Sequence, residues 1–247
     1  MNATKTQNTL TNQEYYQQRY DTVASRWDHM IARLGYNTIY NEMFTRLKQQ
    51  SWLSIHNDDY RALDVGIGSG ALSLALVATL NHPVHITGID ISSAMLDEAQ
   101  ANMRSVGIQP DLYQECIEQT TLRNETHNMV MSAHVLEHFT DPTPALEKMV
   151  SLLKPDGTLL TLITKSSLLG QFIQFKWGVH PTNYDNLVQM LSEVGLSYIS
   201  SIELKPTRFG MRGSIAMIAK KSPSPSQQVT DEVVDTTIYT VLNPNLL

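Results

Sequence analysis

Leu63-Asp64-Val65-Gly66-Ile67-Gly68-Ser69-Gly70 joins an acidic residue at the end of a short apolar run to three alternating glycines. The apolar segment Ala71 to Leu80 follows directly. This order reads as strand, tight turn, helix. Glycines in such a turn let backbone N–H groups approach a ligand with no Cβ in the way. Outward from it, strand-like and helix-like segments alternate. Arg61–Val65, His85–Asp90, Leu112–Cys116, Met129–Ala133 and Thr158–Thr164 read as strands. The helix after Asp90 is capped by Ser92 or Ser93 and stopped by Gly107. Asp141 and Pro142 open another helix, which runs to Leu153, and Lys154-Pro155-Asp156-Gly157 is a turn. Asn183 to Val194 is a helix; Tyr198–Leu204 and Ser214–Lys220 are strand-like with no helix between them. Alternation of this kind predicts an α/β, Rossmann-like, mostly parallel seven-stranded sheet with helices on both faces. Because the last two runs have no helix between them, one of them is expected to pair antiparallel at an edge, and the last strand is expected to be antiparallel. Ligands in such sheets sit outside the C-terminal strand ends.

Before residue 60 the pattern is helical, over Tyr15–Leu34 and Thr38–Leu47 with Gly35 between them. Residues 1–55 are therefore expected to form an N-terminal helical segment, and 56–221 the core. Lys221-Ser-Pro-Ser-Pro-Ser-Gln-Gln228 cannot build a core, so 222–247 reads as a flexible linker and tail, with a β-like run at Thr237–Leu242. The 247 residues carry 18 Lys+Arg against 24 Asp+Glu, a net charge of -6. That balance argues against a broad nucleic-acid backbone binder, which needs clustered cations. The single Cys116 excludes an internal disulfide and fits a reducing compartment. The polar N-terminus and the absence of a long apolar segment predict a cytoplasmic protein without a membrane span.

The glycine turn has two functional readings. Gly66-Ile-Gly68-Ser-Gly70-Ala71 also fits the dinucleotide fingerprint G-x-G-x-x-A. Asp64 separates them: a pyrophosphate gains nothing beside a carboxylate, whereas a ligand with an ammonium group does. S-adenosylmethionine has an ammonium, a sulfonium and no phosphate. Asp90 ends the second strand about 20 residues on, where an acid accepts from ribose hydroxyls in either cofactor. Glu115 with Cys116 ends the third strand and could accept from an adenine amino group.

Together these residues resemble the class I S-adenosylmethionine-dependent methyltransferases, in the branch of ubiquinone/menaquinone C-methyltransferases and phospholipid N-methyltransferases. The resemblance covers roughly Tyr20 to Lys220. It rests on Tyr20-Asp-x-x-Ala24-x-x-Trp27-Asp28, the glycine turn, Asp90, His134-Val-Leu-Glu-His138 and Leu153-Lys-Pro-Asp-Gly157. It implies that residues 1–55 are an N-terminal helical cap over the cofactor pocket, that Tyr20 closes over the methionine end of the cofactor, and that Asp64, Gly66 and Gly68 surround that end. It also implies that Asp90 holds the ribose and Ile91 flanks adenine, with Glu115 and Cys116 at the adenine edge and Ser132 offering backbone to the ammonium. The family usually has Asp-Ala in place of Glu115-Cys116 and Phe-Asp in place of His127-Asn128.

His134-Val-Leu-Glu137-His138 also spells H-x-x-E-H, a zinc-peptidase signature on a helix. Its place directly after an apolar strand, inside the methyltransferase order, favours His134 as an active-site residue and no metal. Glu137 and His138 are then expected to position the next helix. The stretch Lys165–Pro181 carries Phe172, Phe175, Trp177 and His180. The resemblance implies that it tops the pocket, which suggests an apolar or aromatic small-molecule acceptor; its residues alone read equally as a surface helix packing its own aromatics. The expected reaction is in-line methyl transfer to an O, N or C nucleophile. His134 is the first candidate base and His180 the second. An NAD-dependent oxidoreductase and a non-catalytic S-adenosylmethionine-binding regulator remain alternatives. Oligomeric state is left open.

Overall fold

The computed structural model describes residues 12–53, 59–80, 82–164, 184–202, 204 and 214–222. The stretch at 165–181, the linker and the tail lie outside the described residues, and His180 with them. The chain opens with α1 (Asn12–Arg33) and α2 (Tyr36–Gln49). The core follows as β1 (Tyr60–Val65), α3 (Ala71–Leu80), β2 (Val84–Asp90), α4 (Ser93–Ser105), β3 (Asp111–Gln114), β4 (His127–Ala133), α5 (Thr143–Leu152), β5 (Leu153–Thr164), α6 (Tyr184–Glu193), β6 (Leu196–Ile202) and β7 (Ser214–Lys221). Single 3-10 turns lie at Ile117–Gln119 and Leu136–His138.

The strands form one seven-stranded sheet in the order β3-β2-β1-β4-β5-β7-β6. All pairs are parallel except those of β7, which runs antiparallel to both β5 and β6. The antiparallel last strand is present as expected, between β5 and β6, and β6 is the antiparallel strand at the edge. Composition explains why. Ala216 to Ala219 are buried, a continuous apolar run suited to a strand covered on both faces. In β6, Ser200 and Ser201 are exposed, its register is broken between Ser197 and Ser200, and Tyr198 is 74% exposed. Such a strand tolerates the wet edge and discourages further pairing.

Two apolar cores sandwich the sheet. On one face α2 and α3 pack against each other and the strands, α2 through one buried helical stripe of Ile39, Tyr40, Met43, Phe44 and Leu47. Leu72, Ala75, Leu76 and Leu80 of α3 are buried in the same core. On the other face α5 and α6 cover Leu63, Val65, Val130 and Leu159 through Leu146, Met149, Leu187 and Leu191.

Two further boundaries differ from expectation. Lys154–Gly157 belongs to β5 as a bulge: His127 is opposite Leu153 but Met129 is opposite Thr158, and Asp156 takes φ +59° to absorb the extra residues. The third strand stops at Gln114, because the Glu115 N–H turns to the Asp90 carbonyl. Among the described residues no helix is long and apolar enough to cross a membrane.

Candidate active site

The strand order reverses about β1, which has β2 on one side and β4 on the other. A crevice outside the C-terminal ends of these strands is the ligand position in open α/β sheets. The glycine turn lies there. The N–H groups of Gly66 and Ile67 both donate to the Ile89 carbonyl, at 2.8 and 3.1 Å, which pins the turn to the end of β2. Gly66 has φ +67°, and a Cβ there would come within 2.3 Å of Val135 Cγ2. Gly68 has φ +53°, with Trp27 Nε1 3.6 Å from the place of its missing Cβ. Side chains are thus excluded by conformation at both positions, and by space at Gly66.

Asp90 braces this turn. One carboxylate oxygen accepts from Gly68 N–H and the other from Ser92 N–H, both at 2.9 Å. Ser92 is the N-cap of α4, its hydroxyl accepting from Met95 N–H. Each Asp90 oxygen has a second lone pair for a ligand. Burial nevertheless pushes the carboxyl up to about 6, against the pull of the backbone N–H groups of Ser92, Gly68 and Ile91. Asp64 is 1% exposed and accepts from the Ser73 hydroxyl at 2.7 Å. Burial raises it further, to about 7, opposed by the Ser73 bond and reinforced by Asp90. Asp64 is therefore not an open surface charge but a desolvated carboxylate under the turn.

Ser132 is opposite Val65 on β4, its hydroxyl paired with that of Thr161 at 3.1 Å. Ile91 follows Asp90 and is half-buried. Glu115 is held at the same end of the sheet by its N–H bond to Asp90, and its Oε2 is buried with no hydrogen-bond partner. Cys116 packs instead against the apolar cluster around Ile89 and Ile117, and burial raises its thiol. The structure thus gathers Asp64, Gly66, Gly68, Asp90, Ile91, Glu115 and Ser132 at one end of the sheet, with the half-buried Cys116 next to Glu115.

Helix α1 crosses this end. Asp21 accepts from the Ser92 hydroxyl, and Asp28 from Asn102, whose amide also bonds the Ser69 carbonyl. The Tyr20 hydroxyl meets His138 Nε2 at 2.9 Å, and its proton is held far more tightly than usual by burial and then by the nearby Asp90 and Glu137.

The run 134–138 folds as a bend and a 3-10 turn, so the α-helix required by the H-x-x-E-H signature is absent. Glu137 does not brace the next helix. It is 4% exposed and binds His134 and Thr164, while His138 binds Tyr20. The i, i+3 spacing of His134 and Glu137 was visible in the chain; Thr164, on another strand, left no local signal.

Residues 63–161 match the methyltransferase domain family. That match runs from β1 into β5. The chain is 35% identical over 104 residues to the ubiquinone biosynthesis O-methyltransferase of Actinobacillus pleuropneumoniae serotype 7, covering 40% of this chain and 43% of that protein. It is 29% identical over 152 residues to the demethylmenaquinone methyltransferase of Chlamydia pneumoniae, covering 60% and 61%. The chain thus spans about two fifths to three fifths of these relatives. The methyltransferase fold is shared with the magnesium protoporphyrin IX methyltransferase of Synechocystis PCC 6803 solved with bound S-adenosylhomocysteine (TM-score 0.68, 20% identity, 86% of this chain and 100% of that one). It is also shared with the phosphoethanolamine N-methyltransferase 2 of Haemonchus contortus (TM-score 0.69, 12% identity, 87% and 61%).

Proposed function

We propose that this chain binds S-adenosylmethionine and transfers its methyl group to a small-molecule acceptor by in-line displacement. The observation that carries the reading is the pair of buried carboxylates, Asp64 and Asp90, set about a glycine turn with free backbone approach. Ionising either inside the protein is opposed by burial. A cationic ligand relieves that opposition, whereas a pyrophosphate adds to it. The unpartnered Glu115 Oε2 supplies a further acceptor, suited to an adenine amino group. Asp64, Gly66, Gly68 and Ser132 would hold the methionine end, Asp90 the ribose, and Ile91 and Glu115 the base. Tyr20 and the helices of the N-terminal segment would cap the site.

The sulfonium cofactor supplies an activated methyl carbon, so the protein's own work is orientation, exclusion of water and removal of one proton. Alpha1, tied down through Asp21 and Asp28, shields the crevice from solvent. His134 follows β4 beside the glycine turn, its Nε2 buried and without a partner, and is the group we assign to take the acceptor's proton. His180 remains the second candidate. The aromatic residues of 165–181 support an apolar or aromatic acceptor, and the free Cys116 suits the cytoplasm.

The test is incubation of the purified protein with methyl-labelled S-adenosylmethionine and a small-molecule extract, followed by mass spectrometry. A labelled product of low mass is expected. Cofactor binding with no labelled product across a broad extract would instead make the chain a cofactor-binding regulator.

A further inference from the structure

We propose that Glu137 is the positioning residue for His134, holding the proton on Nδ1 so that Nε2 carries the free lone pair. The inference deepens the proposed function, since it rests on His134 acting as the base, but it stands on its own geometry. Glu137 Oε1 is 3.1 Å from His134 Nδ1 and accepts the Thr164 hydroxyl at 2.6 Å. Its Oε2 accepts the Thr164 N–H at 3.0 Å. Thr164 ends β5, so a rigid strand fixes the carboxylate, with the Thr164 hydroxyl 3.5 Å from His134 Nδ1.

A carboxylate can only accept hydrogen bonds, so the neutral imidazole beside it must carry its hydrogen on Nδ1. Burial alone would raise Glu137; the His134 charge and the bonds from His134 and Thr164 outweigh it and keep the group below the ordinary glutamate range. The remaining ring nitrogen, Nε2, is buried and has no hydrogen-bond partner. The backbone is committed to this arrangement. His134 takes φ +60°, a region that non-glycine residues seldom enter, and its N–H is tied to the Leu162 carbonyl at 2.8 Å. Among the described residues, the other ionisable groups facing the pair are Tyr20 from α1 and Tyr36 and Tyr40 from α2. The Tyr36 ring lies 6.0 Å from that of His134.

Glu137→Gln makes a sharp test. The Thr164 N–H needs an acceptor, so the amide oxygen takes the place of Oε2 and the amide nitrogen that of Oε1. That nitrogen donates to His134 Nδ1 and drives the ring hydrogen to Nε2, the wrong tautomer for a base at that nitrogen. The full chain, labelled with nitrogen-15 in histidine, is examined by long-range proton–nitrogen NMR at a pH where the ring is neutral, with His134→Gln to assign the signals. The wild type is expected to show the Nδ1–H form of His134, and Glu137→Gln the Nε2–H form. Binding of S-adenosylhomocysteine by both proteins serves as the check on folding and reports on the proposed function separately. An Nε2–H form in the wild type overturns the proposal even if the variant fails to fold. An unchanged tautomer in a folded Glu137→Gln also overturns it.

Discussion

Asp64 is the residue at which stability and binding pull in opposite directions. Its carboxyl is desolvated and pushed up to about 7, so its ionised form weakens the ligand-free fold while favouring a cationic ligand. Asp64→Asn keeps an acceptor for the Ser73 hydroxyl and removes the charge. We predict that it raises the melting temperature of the ligand-free protein at pH 8 and weakens S-adenosylhomocysteine binding by about tenfold, the scale of a lost charge-assisted contact. Calorimetric scanning and titration of the same preparation check both signs. Gly66→Ala is predicted to lower stability by about 3 kcal/mol in chemical denaturation. It combines left-handed strain with a Cβ placed 2.3 Å from Val135 Cγ2. At this scale the sequence was informative for Asp64, the glycines and Asp90, because their types and spacing lie within one turn and one strand pair. It was silent on Thr164 as a partner of Glu137. The expectation that Glu137 braces the following helix failed because Thr164 reaches it through the β4–β5 pairing, across 27 residues.

At the scale of elements, α1 is held to the core by polar contacts at Ser92 and Asn102 rather than by a deep apolar stripe; Ala24 and Ile31 are its buried apolar residues. Each such bond contributes about 1 kcal/mol net. The double substitution Asp21→Ala with Asp28→Ala is predicted to leave the sheet protected while hydrogen exchange of the α1 amides speeds up by at least about tenfold. Equal acceleration in β1 and β4 would show that α1 is part of one cooperative unit with the core. The helices were legible from their apolar spacing and the strands from their apolar runs. The bulge at 154–157 read as a turn because Pro155, Asp156 and Gly157 carry turn chemistry, and only the pairing of His127 with Leu153 shows that the strand continues through it. The missing helix between the last two runs announced an antiparallel edge, but which of them takes it is decided by composition, the apolar run of β7 against the serines of β6.

For the whole molecule, the buried carboxylates set a pH dependence. Asp64 and Asp90 hold protons more tightly folded than unfolded, to about 7 and about 6. Their contribution to stability is complete below the ordinary aspartate range and is lost as pH rises through 6 to 7. Glu137 is shifted downward, so its contribution is lost only as pH falls below the usual glutamate range. The ligand-free protein is therefore predicted to lose thermal stability between pH 5 and 7.5, and Asp64→Asn to flatten that slope. Melting curves across this window decide it. The central claim, that a pair of buried carboxylates around a glycine turn selects a cationic nucleoside, is tested most directly by isothermal titration of the wild-type chain with S-adenosylhomocysteine and, separately, with NAD. We predict saturable binding of the former at one site per chain and no heat of binding from the latter; tight binding of NAD with none of S-adenosylhomocysteine would contradict the account.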